Sequence, residues 1–167
     1  MIQILLDSVG VNIVSENFDF FQEKKDKCEF YICTTALDEF ANMNKIDYDK
    51  LQSKTLEEQN KYILRQIKKH EQFLVLLRQL AQLNPRFLYD SVFVLGHSPL
   101  GGACFGDGAV YNTILKETKG NINDAVIADT AVKNDCFLLT RDSILYKKMD
   151  NNNYKVLNIE DCKKLLA

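Results

Sequence analysis

The chain has 167 residues, 46% of them hydrophobic and 26% charged, with a formal net charge of -2. That length fits one domain with a sizeable core and leaves little room for two, and the composition excludes global disorder. The opening run Met1 to Leu6 has no basic leader and is too short for a secretory core or a membrane span, so a cytoplasmic protein with no membrane partner is expected.

Ile2 to Leu6 is a short apolar run and reads as a buried strand. Phe18 to Lys27 reads as a helix with Phe18 and Phe21 on one face, and Glu29 to Cys33 as a second, β-rich strand. Thr34 or Thr35 is placed to cap a helix carrying Leu37, Phe40 and Met43. Asn44 to Lys54 is polar and reads as a loop. Leu56 to Leu83 holds neither Pro nor Gly and repeats Leu and Ile at helical spacing, as one long amphipathic helix or two stacked ones would, until Pro85.

Ser91 to Leu95 reads as a third strand. The segment from Gly96 to Gly108 holds five of the seven glycines but lacks a Gly-Lys-Ser/Thr ending, so it reads as a loop at the sheet's edge and not as an NTPase phosphate loop. A helix is expected over Ala109 to Thr118. Another runs from Asp124 to Lys133, capped by Asn121 or Asn123, and Cys136 to Leu139 is a fourth strand. A short helix from Asp142 to Met149, a fifth strand from Tyr154 to Leu157 and a helix from Glu160 to Leu166 complete the chain. Strands alternating with helices imply a parallel α/β sheet.

Cys28, Cys33, Cys104, Cys136 and Cys162 make an odd count without zinc-ligand spacing, and Cys33 and Cys136 lie in apolar runs, so reduced buried thiols are expected. His70 and His97 have no partner at a helical ligand spacing, which argues against zinc. Residues 41–90 hold nine Lys or Arg against six Asp or Glu, whereas the rest holds twelve against seventeen. A basic segment beside an acidic frame suits a protein that grips phosphates and holds a divalent metal, although on charge alone a solvated helix face explains it as well.

Four carboxylates fall where such a fold builds sites. Asp7 follows the first strand, Asp142 follows the fourth after Thr140 and Arg141, Glu39 lies just beyond the second, and Asp124 opens the helix that feeds the fourth. Open α/β sheets bind ligands at the carboxyl ends of their strands. Hard divalent cations take such oxygen ligands, and without a cation clustered carboxylates repel one another and their pKa values rise. Each has a plainer reading: Asp7 and Asp142 as helix caps, Glu39 as a solvated helix residue like its neighbour Asp38, Asp124 as a first-turn charge.

The stretch Asn123-Asp124-Ala125-Val126-Ile127-Ala128-Asp129-Thr130-Ala131, followed by Phe137-Leu138-Leu139-Thr140-Arg141-Asp142, resembles the PIN-domain ribonucleases. Leu5-Leu6-Asp7-Ser8 is similar to that family's opening strand and Asp, and Thr34 to Phe40 resembles the segment with its helical Glu. The resemblance covers both ends of the chain and little of the middle. The segment from about Lys45 to Arg86 is enlarged relative to small toxins of the VapC type.

The resemblance implies a three-layer α/β/α sandwich with about five parallel strands in the order 3-2-1-4-5. It implies that Asp7, Glu39, Asp124 and Asp142 hold Mg²⁺ or Mn²⁺ and that the reaction is hydrolysis of an RNA phosphodiester, leaving a 5′-phosphate and a 3′-hydroxyl. Thr140 would orient a ligand through its hydroxyl, and Asp129 is a second-rank candidate. Lys61, Arg65, Lys68 and Lys69 recur at helical spacing and are expected to meet RNA phosphates. An antitoxin protein and a second copy of the chain are the other partners this reading allows. Two rival functions stand beside it. One is a PIN-fold module that binds RNA or protein without cutting. The other is an aspartate-based phosphatase or phosphotransferase, which usually needs a second Asp two residues after the first, where this chain has Val9.

Overall fold

The structure is a computed structural model that describes residues 1–42, 47–117 and 121–167. Five parallel strands form its sheet, in the order β3-β2-β1-β4-β5. β1 (Ile2–Leu6) lies at the centre, between β2 (Cys28–Cys33) and β4 (Phe137–Leu139), with β3 (Arg86–Leu88) and β5 (Val156–Leu157) at the edges. Ile4, Leu5 and Leu6 are fully buried because both faces of the central strand are covered by helices, as in parallel α/β sheets generally. This is the sandwich and strand order expected above.

Residues 8–16, unassigned from sequence, form α1 (Ser8–Glu16), a helix rich in β-branched residues whose Val11, Ile13 and Val14 are buried. Helix propensity alone does not favour this run; burial of its apolar face decides it. α2 (Phe18–Glu23) is shorter than expected. α3 (Thr34–Asn42) starts at Thr34 itself, and Met43, expected on this helix, lies outside the described residues. The segment read as a loop contains a short helix, α4 (Tyr48–Gln52). α5 (Leu56–Gln82) is one continuous helix of 27 residues, closed at its start by a capping box between Thr55 and Glu58.

The expected third strand is corrected. Ser91 to Leu95 is not a strand; β3 is Arg86–Leu88, paired with Tyr31–Cys33. Two backbone groups of the β-rich run turn to side chains instead of a ladder: the N–H of Ser91 donates to Thr130 Oγ1 at 3.0 Å and that of Val94 to Ser98 Oγ at 3.0 Å. Beyond the glycine-rich loop come α6 (Ala109–Glu117), α7 (Ile122–Lys133), α8 (Ser143–Asn151) and α9 (Ile159–Leu166). Asn121, Asp142 and Asn158 cap the last three. The thiols of Cys28, Cys33, Cys136 and Cys162 are buried and that of Cys104 is exposed, none in a disulfide among the described residues. No helix among the described residues is long and apolar enough to cross a membrane.

Candidate active site

Parallel pairing places Leu6 opposite Leu139, so the residues that follow, Asp7 and Thr140, emerge side by side at the carboxyl end of the sheet. Asp7 caps α1 by accepting the N–H of Gly10. A Cβ on Gly10 would lie 2.6 Å from the carbonyl oxygen of Leu139 and 3.0 Å from Asp7 Oδ1. Only glycine lets α1 start this close to the end of β4, and this approach brings Asp7 to Thr140.

Thr140 is buried. Its hydroxyl hydrogen-bonds the Asp7 carboxylate and accepts the N–H of Asp142 at 3.0 Å. Within the chain, the carboxylate that this hydroxyl holds is that of Asp7. Asp142 caps α8 through Oδ1, which accepts from Ile144 N at 2.7 Å and Leu145 N at 3.0 Å. The capping readings of Asp7 and Asp142 are therefore correct as far as they go. In Asp142 both caps fall on one oxygen, and Oδ2 accepts no hydrogen bond among the described residues.

Glu39 arrives from α3, which follows β2 without a connecting loop. Its two oxygens accept from Ser8 Oγ at 2.9 Å and from Asn123 Nδ2. Asp124 stands in the first turn of α7, which packs against α3, and accepts from Asn121 Nδ2 at 2.6 Å. Four segments thus deliver their carboxylates to one end of the sheet.

The electrostatics show that these groups feel one another. Burial pushes the Asp7 carboxyl up to about 6, with the charges of Glu39 and Asp142 adding to the rise and hydrogen bonds from Thr140 and Gly10 opposing it. Burial also pushes Asp124 up to about 7, followed by repulsion from Asp142, Glu39 and Asp7. Among the described residues, no cation figures among the causes of either shift. Hard oxygen donors carrying excess negative charge are the donor chemistry that Mg²⁺ and Mn²⁺ require. Among the described residues, however, no three Asp, Glu, His or Cys side chains are gathered tightly enough to form a ready-made ligand set. Glu39 is engaged by Ser8 and Asn123, and Asp142 by its helix, so ligation would require their oxygens to close in.

Asp129 does not join the four. It is fully buried and accepts from Ser91 Oγ and from the N–H of Tyr111 at 2.9 Å, so it ties the chain beyond β3 to the start of α6. Lys61, Arg65, Lys68 and Lys69 are all exposed on α5. At 100° per residue they fall within a single face about 100° wide.

Asp90 was not foreseen. It is fully buried and accepts from Thr35 N at 3.1 Å and Thr35 Oγ1 at 2.9 Å, so it caps α3 from 55 residues away and sets the helix that carries Glu39. Its backbone also pairs with Gly102 and Cys104, while Thr34 Oγ1 donates to the Gly102 carbonyl at 2.6 Å. The glycine-rich loop is thereby anchored beside α3. With it comes His97, which lines a polar hollow of about 160 Å³ with Thr35, Asp38, Glu39, Asn42, Pro99 and Asn123. No local spacing links His97 or Asp90 to Glu39; only the path of the loop joins them. Ser8 and Asn123, by contrast, adjoin candidate acids in sequence.

No family model matches the chain, and no curated protein matches it. Among solved structures it is similar to PAE2754 from Pyrobaculum aerophilum, with a TM-score of 0.55 and 14% sequence identity over 99% of this chain and 96% of that one. That likeness shows a shared fold.

Proposed function

We propose that the chain is a metal-dependent endoribonuclease of the PIN kind, with Asp7, Glu39, Asp124 and Asp142 as its catalytic carboxylates. The observation that carries this reading is the convergence of these four side chains, from four separate segments, at the carboxyl end of the sheet, where burial and the charges of the other acids push Asp7 and Asp124 up. A helix cap needs no second carboxylate beside it, and a solvated charge is not driven up by burial.

A divalent cation bound there would neutralise this charge, stabilise charge on a phosphoryl oxygen and lower the pKa of a water. Asp7 and Asp142 would be held in position by α1, α8 and Thr140. Glu39 would be steered by Ser8 and Asn123. Asp124, which feels the charges of the other three acids, would take the proton of the attacking water on a carboxylate oxygen. As the water oxygen bonds to phosphorus, the bond from phosphorus to the 3′ oxygen would break and that oxygen would take a proton from solvent, leaving a 5′-phosphate and a 3′-hydroxyl.

The test is cleavage of a mixed RNA pool by wild type and by Asp124→Asn, with Mn²⁺ and with EDTA. Wild type should cut only with the metal. The variant should lose at least about 100-fold in rate with an unchanged far-UV spectrum. Undiminished cleavage in the variant or in EDTA would remove the basis of the assignment.

A further inference from the structure

α5 carries two apolar stripes, and the fold uses one. Leu80 is buried and Phe73, Leu76 and Leu83 pack against the core. The second stripe consists of Leu56, Ile63, Ile67, Leu74 and Leu77, exposed by 75%, 38%, 51%, 41% and 36%, with the exposed Leu64 and Val75 to one side of it. Asn60, His70 and Ala81 are exposed too and fill the gaps between them, so that the row alternates steps of four and three residues along the helix. Leu74 lies about 120° round the axis from Leu80, so the row does not face the chain's own core.

An alternation of four and three is the seam of a coiled coil, in which side chains of one helix fill holes on another. We infer that this stripe is an interface between two copies of the chain, their α5 helices packed antiparallel about a two-fold axis near residues 67–70. Reversal makes the row complementary to itself. Leu56 meets the small side chain of the partner's Ala81, Ile63 meets the partner's Leu74, and Ile67 meets the partner's His70.

The flanking charges select the same direction. Glu57 follows Leu56 and Arg78 follows Leu77, on the same side of the seam. Antiparallel packing sets Glu57 beside the partner's Arg78 at both ends of the pair. Arg78 has no ion pair among the described residues, whereas Glu57 meets only Lys61 of its own helix, at 2.7 Å. Parallel packing would leave Glu57 and Arg78 about 30 Å apart along the seam and set His70 against the partner's His70. Such an isologous contact closes on itself, as two-fold interfaces do. Lys61, Arg65, Lys68 and Lys69 point to the far side of the axis, so the pairing leaves them exposed and does not depend on the nuclease reading.

Sedimentation equilibrium of the full chain across the micromolar range tests this. Wild type should be a dimer. Ile67→Glu should be a monomer with an unchanged far-UV spectrum, because Ile67 lies outside the core. Glu57→Arg and Arg78→Glu should each raise the dissociation constant by about tenfold, and the double variant should restore it. A wild type that stays monomeric overturns the inference, even if it pairs with some other protein. So does a dimer that survives Ile67→Glu, or a double variant no tighter than either single one.

Discussion

Thr140 hydrogen-bonds the carboxylate of Asp7 across the boundary between β1 and β4, and the same hydroxyl accepts the backbone N–H of Asp142. One buried side chain thus ties together two of the four acids. It also holds down the pKa of Asp7 against the burial that raises it.

Thr140→Val keeps the shape and removes the hydroxyl. The half-buried Asp142 N–H would lose its acceptor, at a cost of about 1 kcal/mol. Asp7 would lose a bond that favours its ionised form, so its carboxyl should rise further. The acid limb of the Mn²⁺-dependent cleavage profile should move to higher pH, with a larger loss of rate at pH 6 than at pH 8. An equal loss at every pH would reduce Thr140 to a packing residue.

The raised carboxyls set the pH dependence of stability in the metal-free protein. Asp7 and Asp124 bind protons more tightly folded than unfolded, where an ordinary carboxyl titrates near 4. Their contribution to stability is therefore fully present below about pH 4 and falls as pH rises through about 6 and 7. At about 1.4 kcal/mol per pKa unit the loss is of the order of a few kcal/mol. Melts in EDTA should show stability falling over this window, more steeply than in Asp124→Asn. Mn²⁺ at pH 7.5 should raise the wild-type melting temperature and raise that of the variant less. Equal metal shifts in both proteins would count against a shared site.

The basic face of α5 is tested by salt. Lys61, Arg65, Lys68 and Lys69 together should each release a counterion on meeting a phosphate, with a slope of about -0.7 per contact on single strands. Replacing all four by Gln should weaken RNA binding and flatten that slope by two units or more. An unchanged slope would make these side chains a solvated surface, consistent with the exposed Lys61–Glu57 pair on the same helix.

Much of the site was legible because its signals are local. Asp7 stands directly behind an apolar strand, Asp142 follows another after two residues, and Asp124 opens an apolar helix, so patterning alone sent three of the acids to one end of a parallel sheet. Asp129 shows the limit of such reasoning. Its chemistry and its place in the motif equal those of Asp124, five residues away, but it faces inward and is used up by Ser91 and Tyr111. Which side of α7 turns to the core depends on what packs there, and α7 is apolar on nearly every side.

The sequence by itself determined the alternation of strands and helices, the helical character of Leu56 to Leu83 and the chain positions of the four acids, since these follow from periodicity, caps and breakers within a few residues; that α5 is one helix and not two was left to the structure. Tertiary structure decided what depends on a distant partner. β3 became Arg86–Leu88 because Tyr31–Cys33 offered the edge of the sheet, while the more β-prone Ser91–Leu95 found its hydrogen bonds in Thr130 and Ser98. Residues 8–16 became helical because burying Val11, Ile13 and Val14 outweighs a weak local preference. Asp90 became the cap of α3 because the chain after β3 turns inward to Thr35. Backbone groups and carboxylates removed from water must find partners, and no local pattern names a partner 55 residues away.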